Sequence, residues 1–252
     1  MTRSPHAGDP LTPEEREEFE RDLISFCDGE LDLLGDIRGL DVLYAGGSSP
    51  LWLEGLSQRI GETGSLTAFE TDAERVREAK DALRDADLAA SVRLVEGDVF
   101  RPPFEQAMFD LVYSAGLLHE LDVGGRTAGD ALAALISVIR PGGRVATSDF
   151  VDAVPVVQLE DEGLQRDLAR EESGAELFGI GPPERLVALH EEYLVDVRWR
   201  LLSPFEIRHL DKVVLAEGEP ADQRLEALRD RIRREGYSRP ATLYVEGSVT
   251  GG

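Results

Sequence analysis

The sequence predicts an α/β fold, a doubly wound and mostly parallel sheet with helices on both faces. Three observations carry that expectation. Short β-branched runs alternate with amphipathic helical stretches. The chain has 252 residues, 42% of them hydrophobic, enough to bury one large core. No internal repeat, low-complexity segment or linker divides it. A single domain over 1–252 is expected, with 1–11 a mobile tail and 12–38 an N-terminal helical segment.

The elements follow in order. Thr12, Pro13 and Glu15 supply an N-cap, a first-turn proline and the N3 acid of a capping box, and Phe19, Leu23, Ile24 and Cys27 then recur at helical spacing. The first strand, Leu40 to Ala45, runs into Gly46-Gly-Ser-Ser-Pro50 and a helix with Leu51, Leu53, Leu56 and Ile60, stopped by Gly61; Ser49 and Pro50 are expected to cap it. Strand two, Ser65 to Glu70, leads through a second expected capping box, Thr71 to Glu74, into a helix to about Leu83, completing a βαβ unit. Strand three is Ser91 to Glu96 and strand four Phe109 to Ser114. A helix from about Thr127 to Ile139 leads through Pro141-Gly-Gly143 into strand five, Arg144 to Ser148. Beyond Val151 come a helical stretch near Leu159 to Glu172, a helix opened by Pro182 and Pro183, a strand near Val195 to Leu202, a helix over about Ala221 to Glu235, and a last strand, Ala241 to Val249. The two late strands suggest an antiparallel pair at one sheet edge.

Composition narrows the function. With 27 Lys plus Arg against 50 Asp plus Glu, the net charge is −23, which disfavours nucleic acid and anionic lipid as partners. The longest mainly apolar run, Ala131 to Ile139, is too short for a membrane span. The N-terminus has no apolar core of a secretory signal, so a cytoplasmic protein is expected. The single cysteine, Cys27, reads as a small buried hydrophobe on a helix.

Ligands of an open α/β sheet bind beyond the carboxyl ends of the strands where strand order reverses, so the residues after strands one to four are the ones to inspect. Ala45, Gly46, Gly47 and Ser48 offer close backbone approach and hydroxyls beside a helix N-terminus, although a tight turn with a serine cap explains the same residues. Glu70, 24 residues beyond Gly46 and followed by Thr71, stands where an acid commonly accepts ribose hydroxyls; a solvated strand-end carboxylate is the plainer reading. Gly97, Asp98 and Val99 follow strand three, where a carboxylate and a backbone N–H can meet a purine edge, or Asp98 can simply cap the turn. Ser114 ends strand four, and His119 follows it as a candidate base or as a pocket-wall histidine. Glu120, Tyr113 and Asp149 are lesser candidates.

Taken together and in order, these segments resemble the class I S-adenosylmethionine-dependent methyltransferase family. Asp41-Val-Leu-Tyr-Ala-Gly-Gly-Ser-Ser49 looks like its first motif, Ala68-Phe-Glu70 like its ribose-binding strand and Glu96-Gly-Asp-Val99 like its adenine motif. Phe109 to His119 resembles its fourth strand, and Ile139 to Val145 the turn into its fifth. The resemblance covers about residues 40 to 150. It implies a Rossmann-like seven-stranded sheet of order 3-2-1-4-5-7-6 with strand seven antiparallel, and S-adenosyl-L-methionine as cofactor. Ala45, Gly46, Gly47, Ser48, Glu70, Thr71, Gly97, Asp98, Val99 and Ser114 would then bind the donor, and His119 would act as base. The sequence departs from the family's first motif at Tyr44, where an acid is usual, and at Ser48 and Pro50, where glycines are.

Within that family, no Asn/Asp-Pro-Pro-aromatic motif follows strand four, Cys27 lies upstream of the donor loop, and no carboxylate cluster suggests a metal. A small-molecule methyl acceptor is therefore expected, with no metal and with the protein a monomer or homodimer. Segments 151–185 and 205–239 are possible pocket covers, with Trp199, Phe205 and Tyr237 as possible acceptor-lining aromatics, and the charge runs at 160–162 and 229–234 read as solvated helix faces. The altered loop motivates the rival reading, a non-catalytic or regulatory adenosyl-ligand-binding protein of the same fold.

Overall fold

The computed structural model describes residues 10–84, 86, 88–216 and 222–250. Residues 1–9 of the expected tail, and the expected helix start at Ala221, lie outside the described residues. Leu11, at the end of that expected tail, is buried.

Seven strands form one sheet: β1 (Asp41–Ala45), β2 (Ser65–Glu70), β3 (Ser91–Glu96), β4 (Phe109–Ala115), β5 (Ile139–Val151), β6 (Val195–Leu202) and β7 (Ala241–Ser248). Their order is β3-β2-β1-β4-β5-β7-β6. The first five pair in parallel, and β7 runs antiparallel to both β5 and β6. The expected sheet order and the antiparallel edge pair are both present.

Alternation along the central strands builds a core on each face. Val42 and Tyr44 of β1, with Leu111 and Tyr113 of β4, pack toward α1 (Pro13–Leu31), α2 (Pro50–Ile60) and α3 (Ala73–Ala82). Leu43, Ala45 and Val112 face the opposite core, shared with α4 (Ala128–Ser137) and α6 (Pro183–Tyr193). Helices α5 (Val157–Ser173), α7 (Leu210–Leu215) and α8 (Gln223–Glu235) close a third, smaller cluster around Val157, Leu228 and Ile232.

Local chemistry sets the boundaries. The capping box at Thr12 and Glu15 forms as expected, and a second one joins Thr127 to Asp130. The expected box at Thr71 does not form. Asp72 caps α3 instead, accepting from the Glu74 and Arg75 N–H groups, because Thr71 is drawn back to donate to Glu70 Oε1. Ser49 occupies the N-cap of α2 without a side-chain hydrogen bond. Strand five is longer than Arg144 to Ser148: Ile139 already pairs with Phe109, and the Pro-Gly-Gly turn is an irregularity inside the ladder, with Gly142 at φ +81°.

Candidate functional site

At the carboxyl ends of β1, β2, β4 and β5 lies a cavity of about 620 Å³, within the size range of small-molecule sites. Its floor is the turn after β1. Gly46 has φ +73°, and a Cβ there would sit 2.3 Å from Leu117 Cδ1. A Cβ on Gly47 would come within 2.8 Å of the Tyr44 hydroxyl. Only glycine fits at either place, so the tyrosine that replaces the family's usual acid is itself a reason for Gly47. Both Gly46 and Gly47 N–H groups are bound to Phe69 O, at 3.1 and 3.2 Å. What the turn offers the cavity is therefore Ser48, Ser49 and the start of α2, where Pro50 carries no N–H.

Glu70 closes β2 on the cavity wall and is 8% exposed. Its Oε1 accepts from Thr71 Oγ1 (3.1 Å) and Asp72 N–H (3.2 Å), while Oε2 has Arg75 at 3.9 Å. The carboxylate is thus held in place by one oxygen.

His119 sits on a 3-10 turn, Leu118–Glu120, just after β4 and is buried. Its Nδ1 is 2.5 Å from Asp149 Oδ1. Asp149, also buried, accepts from the Leu118 N–H (2.6 Å) and the Phe150 N–H (2.9 Å), so the acid is fixed by backbone and orients the ring. Burial opposes charge on the imidazole, but the hydrogen bond and charge of Asp149 outweigh it and raise its pKa above the ordinary value. Such a pair can hold a proton, or take one once the ring is neutral.

The cavity brings together Gly46, Gly47, Ser48, Glu70 and His119, with Glu120 and Asp149 beside them. Other expected residues stand apart from its lining. Ala45 and Ser114 are buried in the strands; Thr71 is exposed beyond Glu70. Val99 is core, Gly97 packs on Pro103, and the Asp98 carboxylate caps Phe100 and pairs with Arg126 at 3.3 Å.

The three aromatics expected near an acceptor do not line the cavity. Trp199 is 58% exposed on edge strand β6. Phe205 packs on Phe26, and Tyr237 donates to Asp161 at 2.5 Å. Segment 151–185 contributes no lining residue, and 205–239 contributes Arg239 alone. The two charge runs meet each other, Arg231 pairing with Glu160.

Sequence reasoning missed Phe26, Glu30, Trp52, Arg239 and Thr242, which form the end of the cavity near Phe150. One signal was readable: Glu30 lies three and four residues after Cys27 and Phe26, on the apolar face of α1. Burial pushes its pKa up to about 7.

Residues 42–143 match the family model described as a methyltransferase domain. That segment is a methyltransferase domain of the class I S-adenosylmethionine-dependent kind. Over 122 residues the chain is 32% identical to the ubiquinone/menaquinone biosynthesis C-methyltransferase UbiE of Idiomarina loihiensis, a match covering 48% of this chain and 46% of that protein. The chain spans about half the length of the curated relatives it matches. A SAM-dependent methyltransferase from Aquifex aeolicus has the same fold, with TM-score 0.59 at 15% identity over 96% of this chain and 100% of the other. So does a geranyl diphosphate methyltransferase in complex with SAM, with TM-score 0.60 at 14% identity over 96% and 92%.

Proposed function

We propose that this protein transfers a methyl group from S-adenosyl-L-methionine to a small-molecule acceptor. The observation that carries the reading is the meeting, in one cavity, of the glycine turn after β1, the anchored Glu70 after β2 and the buried His119–Asp149 pair. The donor supplies a methyl group activated on a sulfonium. Gly46, Gly47 and Ser48 would flank its methionine part and Glu70 would accept the ribose hydroxyls; the tight glycine turn on the cavity floor and the fixed carboxylate suit that role. Gly97, Asp98 and Val99 would serve the adenine from outside the present lining. Glu70, Glu78, Glu120 and Asp149, against Arg75 and Arg239 on the same walls, leave a balance that also favours a cationic donor.

In-line displacement needs alignment, exclusion of water, and a base where the nucleophile is protonated. His119 is placed for the last task and Asp149 positions it. The relative from Idiomarina loihiensis is named for C-methylation in ubiquinone/menaquinone biosynthesis, and a carbon acid or phenol-like acceptor is the class for which such a base is useful.

The test is thermal unfolding and calorimetric binding with S-adenosylmethionine, S-adenosylhomocysteine and NAD. Saturation near 100 times Kd adds about 2.7 kcal/mol, a rise of roughly 5–10 °C, expected with the adenosyl pair and not with NAD. Glu70→Ala is expected to weaken S-adenosylhomocysteine binding by about 10- to 100-fold. No shift with either adenosyl compound would overturn the donor assignment. Binding without turnover of any acceptor would favour the regulatory reading, whose motive is that both glycine N–H groups are already spent on Phe69 O.

A further inference from the structure

Arg239 precedes β7 and reaches the cavity wall between two rings, its Cζ 4.6 Å from the Phe26 centroid and 4.7 Å from that of Phe150. Among the described residues this guanidinium makes no ion pair within 4.0 Å, its Nε is buried without a hydrogen-bond partner, and Glu30 and Glu162 act on its charge only from farther away. That is unusual in a chain with 50 acids to 27 bases, where Arg59, Arg140, Arg208, Arg224 and Arg231 each pair with two acids. A half-buried cation without a close counter-ion is costly, and its charge is available to a ligand. Glu30, the acid nearest in role, is 3% exposed and partly protonated at neutral pH, so it offsets the arginine only in part.

Resting on the methyltransferase reading, we infer that Phe26, Glu30, Trp52, Phe150, Arg239 and Thr242 form the acceptor subsite, that it takes a planar conjugated monocarboxylate, and that Arg239 recognises the carboxylate. The guanidinium fork matches a carboxylate. The aromatic walls, with Phe26 and Trp52 edge to face at 6.0 Å, suit a flat ring. A single cation, with the charges of Glu30 and Glu162 also acting on it, favours a monoanion over a phosphate dianion. The subsite adjoins the base: the His119 and Phe150 rings are 5.3 Å apart, and the Arg239 Cζ is 4.7 Å from the same Phe150 ring centroid.

The experiment is calorimetric titration at pH 7 of wild type saturated with S-adenosylhomocysteine. The probes are 4-hydroxybenzoate and cinnamate, their methyl esters, and phenyl phosphate. At least one acid is expected to bind about 10-fold or more tightly than its ester and than phenyl phosphate. Arg239→Met should erase that preference while leaving S-adenosylhomocysteine affinity within about 2-fold, and Arg239→Lys should keep part of it. Equal affinity for acid and ester, preference for the phosphate, no binding by either acid, or a preference that survives Arg239→Met would each overturn the inference. Should Arg239→Met fail to fold, the wild-type comparison of acid with ester decides. If S-adenosylhomocysteine does not bind wild type, the donor reading fails, and the same titrations without it still test Arg239.

Discussion

Glu30 and His119 both gain protons on folding, for opposite physical reasons. The Glu30 carboxyl is raised to about 7 because burial disfavours its anion, more than Arg239 and a Thr242 hydrogen bond favour it. For His119 the partner acid prevails over burial. In each case the native state binds more protons than the unfolded chain, so stability falls as pH rises through the folded pKa. For Glu30 the contribution is complete below about 4.5 and lost by about pH 7, worth at most about 3 kcal/mol. Glu30→Gln should therefore gain stability over wild type between pH 5 and pH 8; a difference in Tm that stays constant across that range would refute the assignment. For His119, catalysis needing a neutral ring should strengthen as pH rises through a value above the ordinary 6.5. Asp149→Asn, which removes the charge and can present its one amide oxygen to the ring or to the Leu118 N–H but not to both, should lower kcat by about 100-fold with little change in S-adenosylhomocysteine affinity. Gly46→Ala combines a left-handed φ with a clash on Leu117. It should cost about 2–4 kcal/mol, read as a Tm lowered by roughly 5–15 °C.

At the scale of elements, α7 and the turn before it are tied to α1. Arg208 bonds Asp22 through two nitrogens at 2.8 Å and reaches Glu18 at 3.0 Å; His209 meets Glu18, and Lys212 meets Glu15. The Arg208 hydrogen bond holds the Asp22 carboxyl at about 2, below the usual range. These groups are partly solvated, so each pair is weak globally, about 0.2–1 kcal/mol. Their effect is local, because α7 buries none of its own residues and is held chiefly by this network and α8. Arg208→Ala should speed amide exchange across 207–215 several-fold while the global Tm moves by only about 1–3 °C. Unchanged exchange there would mean that the small cluster around Leu228 and Ile232 is sufficient to hold α7.

For the whole molecule, a net charge of −23 sets long-range self-repulsion against many short-range ion pairs. Salt screens the former more than partly buried pairs. Raising sodium chloride from about 0.02 to 0.5 M is expected to raise Tm; a fall would show that the ion pairs dominate. The fold was legible because binary patterning and capping are local: the runs at Asp41–Ala45, Ser65–Glu70, Ser91–Glu96 and Val195–Leu202 were readable within a residue. The length of β5 was not, since its extension depends on Ile139 finding Phe109 across the sheet. Gly46, Ser48, Glu70 and His119 were likewise visible, as they lie at strand ends in a predictable order. Phe26, Glu30 and Arg239 were not read as neighbours, because they are 209 positions apart between Glu30 and Arg239 and meet only when α1 and β7 pack on the same sheet. Taken alone, the sequence determined the sheet, its helices and the strand-end residues Gly46, Ser48 and Glu70 that line the cavity, all encoded in contiguous segments. The tertiary structure alone decided which acid holds His119, which aromatic residues reach the cavity, and that an arginine without a carboxylate partner faces the same space, because those contacts depend on packing between distant elements.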